Sequence, residues 1–244
     1  MNRWNLVYCF TKRLSKNEQN FKNILYSLKK SVELASRFHN IRIITDENTI
    51  NFLDDIGVQK QIYDFGELRF LDDIKISVLP HILENEILID PDVFLYKELR
   101  ISSDCDLYAE RPESIRDEWY KNDYEPAKKF KFSKYIDFYS ESGNVSNIGI
   151  LKFFNQKLLN EYISKYNLVK EIALSERSKL EPFPKYSILL GQLLLQNIID
   201  YGSYTVKYVR SNPYNEYYHL AGENKYERGF LEEKLEKKNE DTLI

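Results

Sequence analysis

Ile87-Leu-Ile-Asp90-Pro-Asp92, in mid-chain, is an apolar run that stops on two carboxylates. Read outward from it, the first part of the chain alternates short apolar runs with helix-period segments. Asn5 to Phe10 and Ile41 to Ile44 read as buried strands. Between them Phe21, Ile24, Leu25, Leu28, Val32 and Ala35 recur on one helical face. Ser15-Lys-Asn-Glu18 has the spacing of a capping box at the start of that helix. Gln59 to Tyr63 is a third strand, Asp72 to about Leu83 a helix with Pro80 at a kink or end, and Glu86 to Ile89 a fourth strand. This β-α-β order predicts an α/β fold, a Rossmann-like mixed but mainly parallel central sheet flanked by helices. Ligands on such sheets bind beyond the carboxyl ends of the strands, where Asp90 and Asp92 are expected. The later part predicts strands at Asp106–Ala109, 148–153 and 205–209, helices at 156–174 and 186–201, and no clear period over the aromatic-rich residues 111–143.

Composition narrows the partners. The 244 residues carry a net charge of −3, with 43% hydrophobic and 30% charged residues, which is globular and offers no basic field for nucleic acid. Cys9 and Cys105 stand in no metal-ligand or redox spacing. No apolar stretch approaches the roughly 20 residues that span a bilayer, and the start does not read as a secretory signal. The expected compartment is the cytoplasm, with the inner membrane face as the alternative. The expected organisation is one domain: about 1–110 for the nucleotide, about 111–226 for the donor sugar and acceptor, and 227–244 as a polar helix.

Asp90 and Asp92, two residues apart in extended chain, point the same way and repel unless a cation or donors lie between them. Mg²⁺ or Mn²⁺ would take one or both and keep positions for diphosphate oxygens. The alternative is a solvated turn, since Asp and Pro are turn formers. Of the three histidines, His39 and His81 read as structural. His219 lies in His219-Leu-Ala-Gly222-Glu-Asn-Lys225, where Gly222 lets backbone approach a phosphate and Lys225 can neutralise it. Zinc is disfavoured because no second His or Cys cluster exists.

His-x-x-Gly-x-x-Lys downstream of Asp-x-Asp resembles the retaining glycosyltransferases of family 8, which include glycogenin and bacterial lipopolysaccharide galactosyltransferases. The resemblance implies a GT-A fold, a UDP-sugar donor, a saccharide acceptor and a metal held by Asp90, Asp92 and His219. It implies that Phe10 and Thr11 meet the base, that Lys75 faces the donor, and that Asn147 and Gly149, in Ser146-Asn147-Ile148-Gly149, contact the donor sugar. Gly222 and Lys225 would meet the diphosphate. Gly191-Gln192 stands where the family has Asp-Gln on a helix, so the expected aspartate is replaced. The middle residue of Asp-x-Asp is proline, and Tyr226-Glu227 follows the lysine where the family has Pro-Trp. The chain thus reads as a divergent hexosyltransferase of bacterial polysaccharide or glycoconjugate synthesis.

Departure of UDP builds negative charge on the β-phosphate, and electrostatic stabilisation by the metal and Lys225 would be the main help. Asp92, Lys225 and Gln192 are therefore the candidate catalytic residues. Gln192 is a poor nucleophile, which favours attack by the acceptor hydroxyl on the face that UDP leaves. The rings between Trp119 and Tyr139 either hold the acceptor or pack the core. Two alternatives stand beside this reading. A nucleotidyltransferase would also use metal-binding carboxylates, but Thr11-Lys-Arg-Leu-Ser15 lacks the glycines of its usual loop. A nucleotide-sugar-binding protein without turnover is the other, kept open by Gly191.

Overall fold

The computed structural model describes residues 4–137, 143–176, 186–211, 215–220 and 232–233. In chain order the elements are β1 (Asn5–Phe10), α1 (Glu18–Ala35), β2 (Asn40–Thr45), β3 (Gln59–Ile62), α2 (Asp73–Val78), β4 (Glu86–Ile89), β5 (Val93–Leu95), β6 (Leu107–Ser114), α3 (Glu118–Ala127), β7 (Asn144–Phe153), α4 (Gln156–Ser175), α5 (Leu194–Gly202), β8 (Val206–Tyr208) and β9 (Tyr217–His219). The fold is mixed α/β and Rossmann-like, with a seven-stranded, mainly parallel sheet flanked by helices and a separate two-stranded sheet. The chain divides into two compact units.

The first unit comprises Met1–Asp64, Ile89–Leu99 and Tyr214–Ile244. Its sheet runs β3-β2-β1, all parallel, with Phe10 opposite Thr45. Five of the six residues of β1 are buried, which is why it reads as a continuous apolar run rather than an alternating one. α1 lays Phe21, Leu28, Val32 and Ala35 into the core. Its cap differs from the predicted capping box. Asn17, in extended conformation, accepts the Asn20 N–H and opens the helix, while Ser15 closes a preceding 3₁₀ turn over Lys12–Leu14. β5 pairs antiparallel with β9, setting Val93 opposite His219. His39 is structural: its Nδ1 lies 2.9 Å from the Trp4 carbonyl, and its Nε2 accepts the Leu99 N–H.

The second unit comprises Phe65–Leu88 and Arg100–Pro213, with strand order β4-β7-β6-β8. β6 and β7 are antiparallel, and β6 and β8 parallel. The helix expected from Asp72 to Leu83 is shorter. α2 ends at Val78 and a 3₁₀ turn over Leu79–His81 follows, because Pro80 has no N–H to continue an α-helix. The stretch without sequence period contains α3, and its rings Tyr120, Phe130 and Phe132 are buried. Phe130 and Phe132 stack, and Tyr186 meets each edge-on. These rings therefore pack the core rather than an acceptor, whereas Tyr135 is exposed. Phe138 and Tyr139 lie outside the described residues.

Lys152 on β7 is 5% exposed and its Nζ donates to the Leu83 carbonyl. Burial pushes its amine down to about 8, against the weaker opposing pull of Glu86 and Glu84. An unfolded lysine titrates near 10.4, so between about pH 8 and 10.4 the unfolded chain holds a proton that the folded one has released, and stability attributable to Lys152 rises with pH. Lys152→Met should accordingly be more stable than wild type at neutral pH, with the gap closing toward pH 10. Urea midpoints at several pH values check this, and parallel profiles would contradict it.

Candidate functional site

Asp90-Pro91-Asp92 is the turn between β4 and β5, closed by the Val93 N–H on the Asp90 carbonyl. Two serines of α1 hold it. Ser27 Oγ donates to the Pro91 carbonyl at 3.1 Å, and Ser31 Oγ donates to the Val93 carbonyl. Because the Ser31 proton is spent there, Tyr8 must donate its own to Ser31 Oγ, 2.9 Å away. On the other side the Leu220 N–H donates to the Asp92 carbonyl at 3.1 Å, extending the β5–β9 ladder and seating His219 against the turn. Phe94 and Leu220 pack together in a small apolar cluster with Tyr26, Leu34, Tyr96 and Tyr218.

Asp90, Asp92 and His219 each offer a ligand atom within 4.8 Å of the others. His219 Nε2 is 3.5 Å from Asp92 Oδ1, and the two side chains are 8% and 2% exposed. Two carboxylate oxygens and an imidazole nitrogen at this spacing fit a divalent cation of the Mn²⁺ or Mg²⁺ type, so the donor chemistry is compatible with the ion that the sequence implies. Gly222 and Lys225 lie outside the described residues.

A second polar spot of the first unit lies where β1 and β2 end. The register brings Thr11 beside Asp46, and Thr11 Oγ1 donates to Asp46 Oδ2. Asp46 Oδ1 and Thr45 Oγ1 are buried without a hydrogen-bond partner. Orphaned buried oxygens are uncommon and call for a reason. Phe10, 2% exposed, stacks on Phe21 at 5.8 Å and belongs to the core beneath.

The second unit gathers Lys75, Asn147, Gly149 and Gln192. Between the pairs Ala109–Leu151 and Arg111–Asn147, β6 advances two residues while β7 advances four, so Ile148–Ile150 bulge from the ladder. The bulge leaves the Ile148 carbonyl to accept Lys75 Nζ at 3.1 Å, and Asn147 Oδ1 accepts the Gly149 N–H at 2.9 Å. Asn147 Nδ2 donates to Glu113 Oε1 at 2.7 Å. Arg111 binds the same carboxylate at 2.9 Å and Glu110 at 2.6 Å. Tyr120 Oη lies 2.7 Å from Glu113 and 2.8 Å from the Gln192 amide. One phenolic hydrogen cannot serve both, so Tyr120 donates to Glu113 and Gln192 turns its N–H toward Tyr120. Burial first, then the Glu113 charge, holds the Tyr120 phenol well above its ordinary range.

Glu110, Arg111 and Glu113 were missed by sequence reasoning, and Tyr120 was read only as one of the rings between Trp119 and Tyr139. Their segment shows neither period nor motif, and only the buried pairing of Glu110 and Glu113 with Arg111 marks them. Gln192 sits in a π-helical turn over Leu189–Leu193 that runs into α5, and such turns are frequent at functional sites.

No family model matches the chain, and no curated protein matches it. Among solved structures it is similar to CTP:phosphocholine cytidylyltransferase from Streptococcus pneumoniae, at 14% identity and a TM-score of 0.46, over 96% of this chain and 100% of that one. That protein is, by its name, a nucleotidyltransferase.

Tyr120→Phe removes the link between Glu113 and Gln192 and leaves both short of a partner. The expected cost is about 1–3 kcal/mol of unfolding free energy, read by urea denaturation. A variant as stable as wild type would contradict the network's role.

Proposed function

We propose that the chain is a divalent-metal-dependent transferase acting on a nucleotide-activated substrate, with a hexose carried by UDP as the first reading and a saccharide as acceptor. One observation carries it: Asp90, Asp92 and His219, distant in sequence, converge with one ligand atom each inside 4.8 Å. When bound, Mn²⁺ or Mg²⁺ would offset negative charge on the leaving phosphate. Everything else asked of the site falls to the chain's own groups. Asp90 and Asp92 hold their geometry because Ser27, Ser31 and the Leu220 N–H fix the turn's carbonyls. Thr45 and Asp46 bring buried acceptor oxygens to the strand ends, which suits recognition of a base or ribose. Lys225 adds positive charge to the diphosphate. In the second unit Gln192 is oriented through Tyr120 and Glu113. Without a nucleophile at Gln192, the acceptor hydroxyl attacks on the face that the nucleotide leaves.

Nucleotidyl transfer is the second reading, since metal-holding carboxylates at a strand end serve it as well. It uses the same metal-held phosphates but breaks a different bond, so the product separates the two. Glycosyl transfer or donor hydrolysis releases a nucleoside diphosphate, whereas nucleotidyl transfer from a triphosphate releases pyrophosphate. The purified protein with Mn²⁺ should release UDP from at least one UDP-hexose, and EDTA or Asp92→Ala should lower the rate by about 100-fold or more. Pyrophosphate from CTP or UTP with a phosphorylated co-substrate, and no UDP from any UDP-sugar, would select the second reading. Neither product under any condition would contradict the proposal.

A further inference from the structure

Where β1 and β2 end side by side, two oxygens among the described residues are buried without a hydrogen-bond partner, Asp46 Oδ1 and Thr45 Oγ1. Asp46 is 6% exposed and Thr45 is fully buried. The groups around them are partnered and tied in place. Thr11 Oγ1 donates to Asp46 Oδ2 and accepts the Arg13 N–H at 3.1 Å. The Thr49 and Ile50 N–H groups donate to the Asp46 carbonyl, each at 3.1 Å, and Thr49 Oγ1 accepts the Lys12 N–H at 2.9 Å. The turns after the two strands are therefore cross-linked, and the Asp46 carboxylate is held with one oxygen satisfied and the other without a donor. A buried carboxylate oxygen left in that state costs free energy, and a bound ligand that brings a donor relieves it. The spot lies in the same unit as Asp90, Asp92 and His219 and on the strand that supports them. Tyr8, three residues before Thr11 on β1, reaches Ser31 and through it the Val93 carbonyl. Ligands of such sheets bind beyond the carboxyl ends of the strands, which is where Thr45 and Asp46 stand.

We propose that Asp46 selects the base of the nucleotide, its Oδ1 accepting the ring N–H of a uracil. The number and character of the unpartnered groups choose that base. A carboxylate oxygen only accepts hydrogen bonds, so the ligand edge must bring a proton. Cytosine and adenine present a ring-nitrogen lone pair at the corresponding place, and the carboxylate repels it. Guanine brings two neighbouring N–H donors and a ribose two neighbouring hydroxyls, and each suits a carboxylate with both oxygens to offer. Asp46 has one to offer, because Oδ2 is taken by Thr11. Uracil carries a single ring N–H between two carbonyl oxygens, and Thr45 Oγ1 has a proton to give to one of those carbonyls. Thr11, which the sequence set against the base, acts through Asp46 instead.

The proposal rests on the nucleotide reading above, and a ligand series separates its failure from the failure of that reading. Calorimetric titration of the purified protein with Mn²⁺ compares UDP with 3-methyl-UDP, which lacks the ring N–H, with CDP and with 2′-deoxy-UDP. UDP should bind about tenfold or more tightly than 3-methyl-UDP and CDP, and 2′-deoxy-UDP should stay within about threefold of UDP. In Asp46→Asn, Thr11 holds the carboxamide oxygen and the amide N–H groups turn toward the base, so CDP should bind at least as tightly as UDP. Thermal melting checks that this variant folds. Equal wild-type affinities for UDP, 3-methyl-UDP and CDP overturn the proposal and leave the nucleotide reading intact. So does a loss on 2′-deoxy-UDP as large as that on 3-methyl-UDP, which would assign Asp46 to the ribose. So does a folded Asp46→Asn that keeps the wild-type preference. Binding of none of the four ligands with Mn²⁺ overturns both.

Discussion

A single backbone bond, from the Leu220 N–H to the Asp92 carbonyl, ties two distant parts of the sequence into one site. It continues the β5–β9 ladder by one step, and the ladder sets His219 opposite Val93. Without that ladder the two carboxylates of the turn would stand with no imidazole beside them, and their repulsion would be left to water to relieve. The rest of the first unit supports this bond. Phe94 and Leu220 bury the ladder's apolar side, and Ser31, itself held by Tyr8, fixes the far end of the turn. A cluster of polar side chains keeps its geometry only when its supporting groups are locked in this way.

The second unit solves a different problem. Glu110 and Glu113 both bind Arg111, and Glu113 takes neutral donors as well. Asn147 and Tyr120 provide them. Such buried ion pairs contribute little to stability after desolvation, and their value lies in fixing orientation. Here the groups fixed are Asn147 beside the β7 bulge and Gln192 in the π-helical turn. Two departures from regular structure, a bulge and a π turn, thus carry the side chains that the sequence singled out.

Much of the fold could be read from the chain. The stripe of α1 has a clear helical period, the runs at β1, β2 and β4 are short and apolar as buried strands are, and the strand end at Asp90 follows from them. Asp90, Asp92 and His219, which the structure brings together, were singled out because Asp-x-Asp at a strand end and His219 with Gly222 and Lys225 are compact patterns. Other features were hidden for physical reasons. The bulge at Ile148–Ile150 has one local mark, Gly149 inside an apolar strand, and nothing in the flanking pattern says how many residues leave the ladder. α3 contains Pro126 and mixed charge, so no stripe marks it. Gly191 read as a missing carboxylate; that its empty side holds Asp72 is a long-range contact no local pattern encodes.

Binding of Mn²⁺ to the purified protein, followed by the loss of the free-ion electron paramagnetic resonance signal, addresses the central claim most directly. The account predicts one bound ion per chain in wild type, and affinity lowered by about tenfold or more in both Asp92→Asn and His219→Ala, each of which removes a ligand from the triad. Equal Mn²⁺ binding by wild type and both variants would contradict it, because the ion would then be held somewhere other than Asp90, Asp92 and His219.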